Sequence, residues 1–213
     1  MAQNLIAFFA GRKGSGKSTL VKECVAEYPR VIVLDTMGEY GKEEQTLEGA
    51  IQGLLAVSDK RRFFYPVRLV HPEDGLRVLR VVYDIPDSLV VVEETSFYCS
   101  PSYLPDEMAR LVRYGRHRQI SQFYVARRPA EIHRDLTAQS DIIVSFVQHE
   151  PTDIEYLRKV MGPKAELLPR LPKYAVMVSG DIEKAPLAVL ERIASTPENF
   201  RLTDDRAPPT VET

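Results

Sequence analysis

The sequence predicts an α/β fold, a mostly parallel central sheet with helices on both faces. Three observations carry that expectation. Short apolar or β-branched runs alternate along the chain with stretches whose apolar positions recur every three or four residues, the order that builds a parallel sheet. Residues 5–10 and Leu89–Val92 are apolar throughout, as strands covered on both faces are. A glycine-rich loop joins the first run directly to the first helical stretch.

In order, residues 4–10 read as a strand ending in glycine, followed by a helix through Tyr28 that Pro29 stops. Residues 31–34 are a β-branched strand closed by Asp35, and Leu47, Ile51, Leu54 and Leu55 give 43–57 a helical period. Residues 62–70 read as a strand that Pro66 pushes to a sheet edge. Leu76, Val78, Leu79 and Val82 mark a helix before Pro86, and Leu89–Val92 is the most buried strand of the pattern. Leu104, Met108, Leu111 and Val112 mark the next helix, with Pro105 at its first position, Asp106 and Glu107 in its first turn and Gly115 at its end. A strand at 119–126, a short helix near 131–139, a strand at 141–147 and a helix at 151–161 follow. Residues 173–178 and 185–190 are expected as closing strands. From Thr196 the composition turns to Pro, Asp and Thr, so the expected organisation is one domain over 1–195 and a polar tail over 196–213.

Composition sets limits. The 213 residues suit one domain with trimmings, and 44% hydrophobic residues suffice for a real core. A formal net charge of −2 supplies no global basic field, so any nucleic-acid contact must come from a local patch. No apolar run approaches the roughly 20 residues that span a bilayer, and the first residues lack the basic lead-in and cleavage site of a secretion signal. Cys24 and Cys99 are expected as buried thiols, and the four histidines show no metal-ligand spacing.

Gly11-Arg12-Lys13-Gly14-Ser15-Gly16-Lys17-Ser18-Thr19 matches the phosphate-loop pattern in full, after a strand and opening a helix. Glycines let consecutive backbone N–H groups close around phosphate oxygens, and the helix start adds the positive end of its dipole. Gly11, Gly14, Ser15, Gly16, Lys17, Ser18 and Thr19 are therefore the expected nucleotide-binding set. Lys17 is expected at the β- and γ-phosphates and Ser18 on Mg²⁺, with Arg12 and Lys13 as solvated loop charges. Glu93 and Glu94 close the Leu89–Val92 strand at the carboxyl edge of the sheet, where ligands bind in open parallel sheets. Glu93 is assigned to the Mg²⁺ shell and Glu94 to the attacking water, because successive residues on a strand face opposite ways. Asp35 after the second strand either supports that chemistry or caps its own loop.

Seven arginines and no lysine lie between Met108 and Arg134. Arginine alone suits bidentate work on phosphates or carboxylates. The helix after Glu94 must run back to the opposite edge of the sheet, so Arg116 and Arg118 lie far from their own nucleotide and reach a γ-phosphate only in a neighbouring subunit. Arg127 and Arg128 return to the nucleotide edge, where one is expected to sense the γ-phosphate within its own chain. An arginine supplied across an interface predicts an oligomer.

The loop at 11–19, the Asp35…Gly38-Glu39-Tyr40 segment, the Val-Val-Val-Glu93-Glu94 strand, Arg113-Tyr-Gly-Arg116-His117-Arg118 and Arg128-Pro129 occur in this order over residues 5–147. Together they resemble the FtsK/HerA superfamily of DNA-pumping P-loop ATPases, and within it the small viral genome-packaging branch. The resemblance implies a RecA/FtsK-like fold and a homo-hexameric ring that hydrolyses ATP with Mg²⁺ to translocate double-stranded DNA, with an arginine finger from the adjacent subunit. It also implies a capsid or membrane-vertex docking partner, and a cytoplasmic or virion-associated location. Two departures stand out: Glu93-Glu94 replaces the usual Asp-Glu, and Arg127 stands where a sensor glutamine is usual. With no added DNA-reading domain, the expected DNA contact is phosphate backbone. Candidate DNA-facing loops are Lys60-Arg61-Arg62 and 96–102 with Phe97, Tyr98 and nearby Tyr103. The alternatives are a nucleoside monophosphate-type kinase, which shares the length and phosphate loop, and a nucleotide-dependent assembly switch.

Overall fold

Strand alternation sorts the central side chains onto two apolar faces. In the computed structural model of the chain, which describes residues 4–41 and 43–201, the strands are β1 (Ile6–Ala10), β2 (Arg30–Leu34), β3 (Phe63–Val67), β4 (Leu89–Val92), β5 (Ser121–Ala126), β6 (Ile142–Ser145) and β7 (Met177–Gly180). Ile6, Phe8 and Ala10 of β1 join Val90 and Val92 of β4 in one core cluster, while Ala7, Phe9, Leu89 and Val91 join the other. β1 and β4 are buried along their whole length, which is why they read as continuous apolar runs.

The sheet order is β3-β2-β4-β5-β1-β6-β7, parallel throughout except for β7, which runs antiparallel to β6. β3 is the edge strand that Pro66 announced; its partner across the ladder is Val33. The first face is covered by α2 (Leu47–Ser58), α3 (Pro72–Val82), α4 (Asp106–Tyr114), α5 (Arg134–Ala138) and α6 (Pro151–Met161), through residues such as Leu54, Leu79, Leu111, Leu136 and Leu157. The second face is covered by α1 (Lys17–Val25) and α7 (Leu187–Ser195), through Leu20, Val21, Cys24 and Val189. Cys24 and Cys99 are buried free thiols in different clusters. No helix among the described residues is long and apolar enough to cross a membrane.

Register fixes the site. Leu34 stands opposite Val92, Val92 opposite Tyr124, and Ala10 opposite Ala126 and Ser145. The residues that follow, Asp35, Glu93, Arg127 and Gly11, therefore emerge along one carboxyl edge.

Two local expectations need correction. Residues 185–190 form the start of helix α7 rather than a strand: Pro186 precedes it, and the Glu27 carboxylate accepts the first N–H groups, from Leu187 and Ala188, at 3.0 Å each. The strand expected at 173–178 is displaced to Met177–Gly180, because Tyr174 turns left-handed with φ 69° and breaks the extended run before it. Pro163–Arg170, unassigned in the sequence, winds into a 3-10 turn that buries Ala165 and Leu168. Gly115 ends α4 as expected, with a right-handed backbone. A 3-10 turn at Gly115–Arg118 continues the coil, and a Cβ at Gly115 would lie 2.6 Å from the Gln122 amide. Of the expected tail, Thr196 is buried and Glu198–Phe200 forms a 3-10 turn, while 202–213 lie outside the described residues.

Candidate active site

The loop between β1 and α1 is built for close approach. A Cβ at Gly11 would lie 2.7 Å from Phe146 Cβ and from Ser15 Oγ, and Gly16 holds φ 105° at the head of α1 with Tyr174 2.9 Å from where a Cβ would sit. No side chain caps α1, so its first N–H groups face the loop interior. Lys17 is buried, and its ammonium donates to the Arg12 carbonyl at 3.3 Å. Burial pushes that ammonium below the usual lysine range, against the opposing pull of Glu94 and Glu93. Ser15 Oγ is buried with no hydrogen-bond partner, an orphan that a phosphate oxygen would satisfy. Arg12 and Lys13 are exposed.

The two carboxylates after β4 differ in surroundings. Glu93 is 4% exposed and accepts a hydrogen bond from the Tyr40 hydroxyl at 3.0 Å. Burial pushes its carboxyl up to about 7; the Tyr40 bond opposes the shift and Glu39 adds to it. Glu94 takes a left-handed backbone, φ 47°, and its carboxylate pairs with Arg127 Nε at 2.5 Å. Asp35 is fully buried and accepts the N–H groups of Glu39 at 2.8 Å and Tyr40 at 2.9 Å. Of its two sequence readings, loop capping is the contact it makes, and through the loop it sets Tyr40 against Glu93.

The arginines divide by edge. Arg127 lies at the phosphate-loop edge, its carbonyl held by the buried Gln148 amide at 3.3 Å. Arg128 turns away to Asp153, whose buried carboxylate accepts Arg128 Nε at 2.6 Å and the Ala130 N–H at 3.1 Å. Arg116 and Arg118 lie at the amino edge: Asn4 donates to the Arg116 carbonyl, and the Arg118 guanidinium donates to the carbonyls of Tyr83 and Asp84, at 3.4 Å each. The chain does not bring them to its own phosphate loop. Of the two loops considered for nucleic acid, Lys60-Arg61-Arg62 leads into β3 at the amino edge, and the Lys60 carbonyl accepts from Arg30. In 96–102, Phe97 is half exposed, whereas Tyr98 is buried with its hydroxyl 3.2 Å from that of Thr36.

Two clefts open at this edge of the sheet. One, of about 500 Å³, runs from Arg12–Ser15 to Val147, His149 and 169–173. The other, of about 430 Å³, holds Glu94, Arg127 and Arg68 beneath the exposed side chains of Met37, Val70 and Phe97. Sequence reasoning did not single out Arg68 or Gln148, lone polar residues next to apolar strand runs. Nor did it find the 169–173 wall, where two prolines, with left-handed Tyr174 just beyond, erase any period. Tyr40 was visible only as part of the Gly38-Glu39-Tyr40 segment.

Among the described residues, no cluster of three or more His, Cys, Asp or Glu is arranged to hold a metal ion unaided. The donors Ser18 and Glu93 do fit a hard cation that completes its shell with phosphate oxygens and water, the habit of Mg²⁺.

No family model and no curated protein matches the chain. Solved structures do. The genome packaging NTPase B204 of Sulfolobus turreted icosahedral virus 2, in complex with ATP-gammaS, superposes with a TM-score of 0.67 at 16% identity, over 87% of this chain and 96% of that one. B204, the DNA-packaging ATPase from Sulfolobus Turreted Icosahedral Virus, gives 0.67 at 17% identity over the same shares. The chain has a RecA/FtsK-like P-loop NTPase fold. A monomer form of the pCW3 conjugation coupling protein TcpA with ATPgS is similar at TM-score 0.52 and 13% identity, over 88% of this chain and 65% of that one.

Proposed function

We propose that the chain is an ATP hydrolase that works as a homo-hexameric ring and drives double-stranded DNA through it, with viral genome packaging as its task. The observation that carries this reading is the convergence of Lys17, Glu93, Glu94 and Arg127 at one end of an uncapped phosphate loop. Near-complete coverage of a structure described as a DNA-packaging ATPase supports it.

In this reading the loop amides at 11–16 and the head of α1 grip the triphosphate, and Ser15 gains its missing partner. Lys17 lies along the β- and γ-phosphates. Ser18, with Thr19 beside it, and Glu93 hold Mg²⁺, which offsets charge on the phosphate oxygens. Glu94, turned left-handed just beyond the strand end, orients and accepts a proton from water. The cleft past Val147 and His149 receives the nucleoside end. Arg116 and Arg118, held away from their own loop, serve the γ-phosphate of a neighbour in the ring. DNA is contacted through its backbone, and a capsid or membrane-vertex partner docks the ring in the host cytoplasm or on the virion.

The test is phosphate release with and without double-stranded DNA, alongside transfer to nucleoside monophosphates. DNA-stimulated release supports the motor. Phosphoryl transfer with no DNA effect overturns it in favour of a kinase, and slow turnover indifferent to both points to an assembly switch.

A further inference from the structure

The ion pair between Glu94 and Arg127 bears on how the site is controlled. Both side chains line the same cleft, which gives the guanidinium room to move, and Arg127 is 37% exposed. The Arg127 main chain is fixed by Gln148, so any motion belongs to the side chain. Arg127 also stands close enough to Lys17 to depress its ammonium, while Glu94 raises it. The guanidinium thus lies between two anionic destinations: the Glu94 carboxylate it now holds and the γ-phosphate that Lys17 would grip. Its Nε cannot serve both, and a partly exposed ion pair is weak enough to exchange.

We propose that Arg127 is a positioning residue that latches Glu94 while the loop carries no triphosphate and moves to the γ-phosphate when one binds, releasing Glu94 toward water. Hydrolysis is thereby tied to the presence of the third phosphate, since a diphosphate leaves the latch closed. The proposal rests on the nucleotide site proposed above.

A binding cycle tests it with adenosine 5′-(β,γ-imido)triphosphate and ADP as probes, on the full chain, its fold checked by circular dichroism. Glu94→Gln removes the competing anion, so the triphosphate analogue should bind about fivefold tighter and ADP unchanged. In an Arg127→Met background the same Glu94→Gln change should give no gain, and in Arg127→Lys, which keeps the charge, part of the gain should return. A gain that survives Arg127→Met comes from relieved repulsion between Glu94 and phosphate and overturns the latch. So does the absence of any gain from Glu94→Gln in the unaltered chain. A wild-type chain that binds neither probe overturns the proposed function itself, and the latch with it.

Discussion

Asp153→Ala probes whether Arg128 belongs to the fold or to the phosphate site. The Asp153 carboxylate is fully buried in the first turn of α6 and accepts two hydrogen bonds, from Arg128 Nε at 2.6 Å and the Ala130 N–H at 3.1 Å. Charge-assisted hydrogen bonds contribute roughly 1.5–3 kcal/mol each. The Arg128 side chain is 41% exposed and can return to water, so its share falls to about 1 kcal/mol. The loss of Asp153 should therefore destabilise the chain by about 3 kcal/mol, which for a chain of this size is about 6–12 °C in Tm. Asp153→Asn keeps a neutral acceptor and should lose about half as much. Urea unfolding and thermal melts read the stability, and calorimetry with the triphosphate analogue reads the site. A loss below about 1 kcal/mol, or lost binding at unchanged stability, would refute the reasoning and return Arg128 to the phosphates.

Glu93 predicts a pH dependence. Its folded value of about 7 lies above its ordinary 4.5, so its contribution to stability is full below the ordinary value and is lost as pH rises through about 7. Without nucleotide or divalent cations, Glu93→Gln should gain stability over wild type at pH 8 but little at pH 5. The difference should be on the order of 3 kcal/mol at most, and parallel unfolding profiles would contradict it. Arg116→Ala and Arg118→Ala should leave nucleotide affinity intact in the isolated chain while lowering turnover of assembled rings. Mixing either with Lys17→Ala chains should restore part of the turnover, and recovery absent from every mixture would remove both residues from catalysis.

The sequence exposed the parts of the fold whose burial is one-dimensional. β1 and β4 are covered on both faces, so their hydrophobic runs are continuous, and the glycine loop between β1 and α1 needs a backbone that few other residues adopt. Asp35 leaves two readings open in the sequence, because its partners are backbone N–H groups four and five residues on and no side-chain pattern chooses between them. The 185–190 segment reads as a strand since Leu187, Ala188, Val189 and Leu190 are apolar in a row. What makes it helical is α1, which packs against Val189, and Glu27 just beyond α1, which caps it from 160 residues away. The Glu94–Arg127 pair was equally hidden. Each residue was assigned a task with phosphate or water, and only the register of β4 against β5 reveals that they meet.

Binding of the triphosphate analogue to wild type and to Lys17→Ala, followed by calorimetry in the presence of Mg²⁺, separates the possibilities with one instrument. One nucleotide bound per wild-type chain and strongly weakened binding in Lys17→Ala is the expected result, because the buried ammonium is the only cation that α1 itself places inside the loop. Equal affinity in both chains, or no heat from either, would mean that the loop between β1 and α1 does not hold a triphosphate.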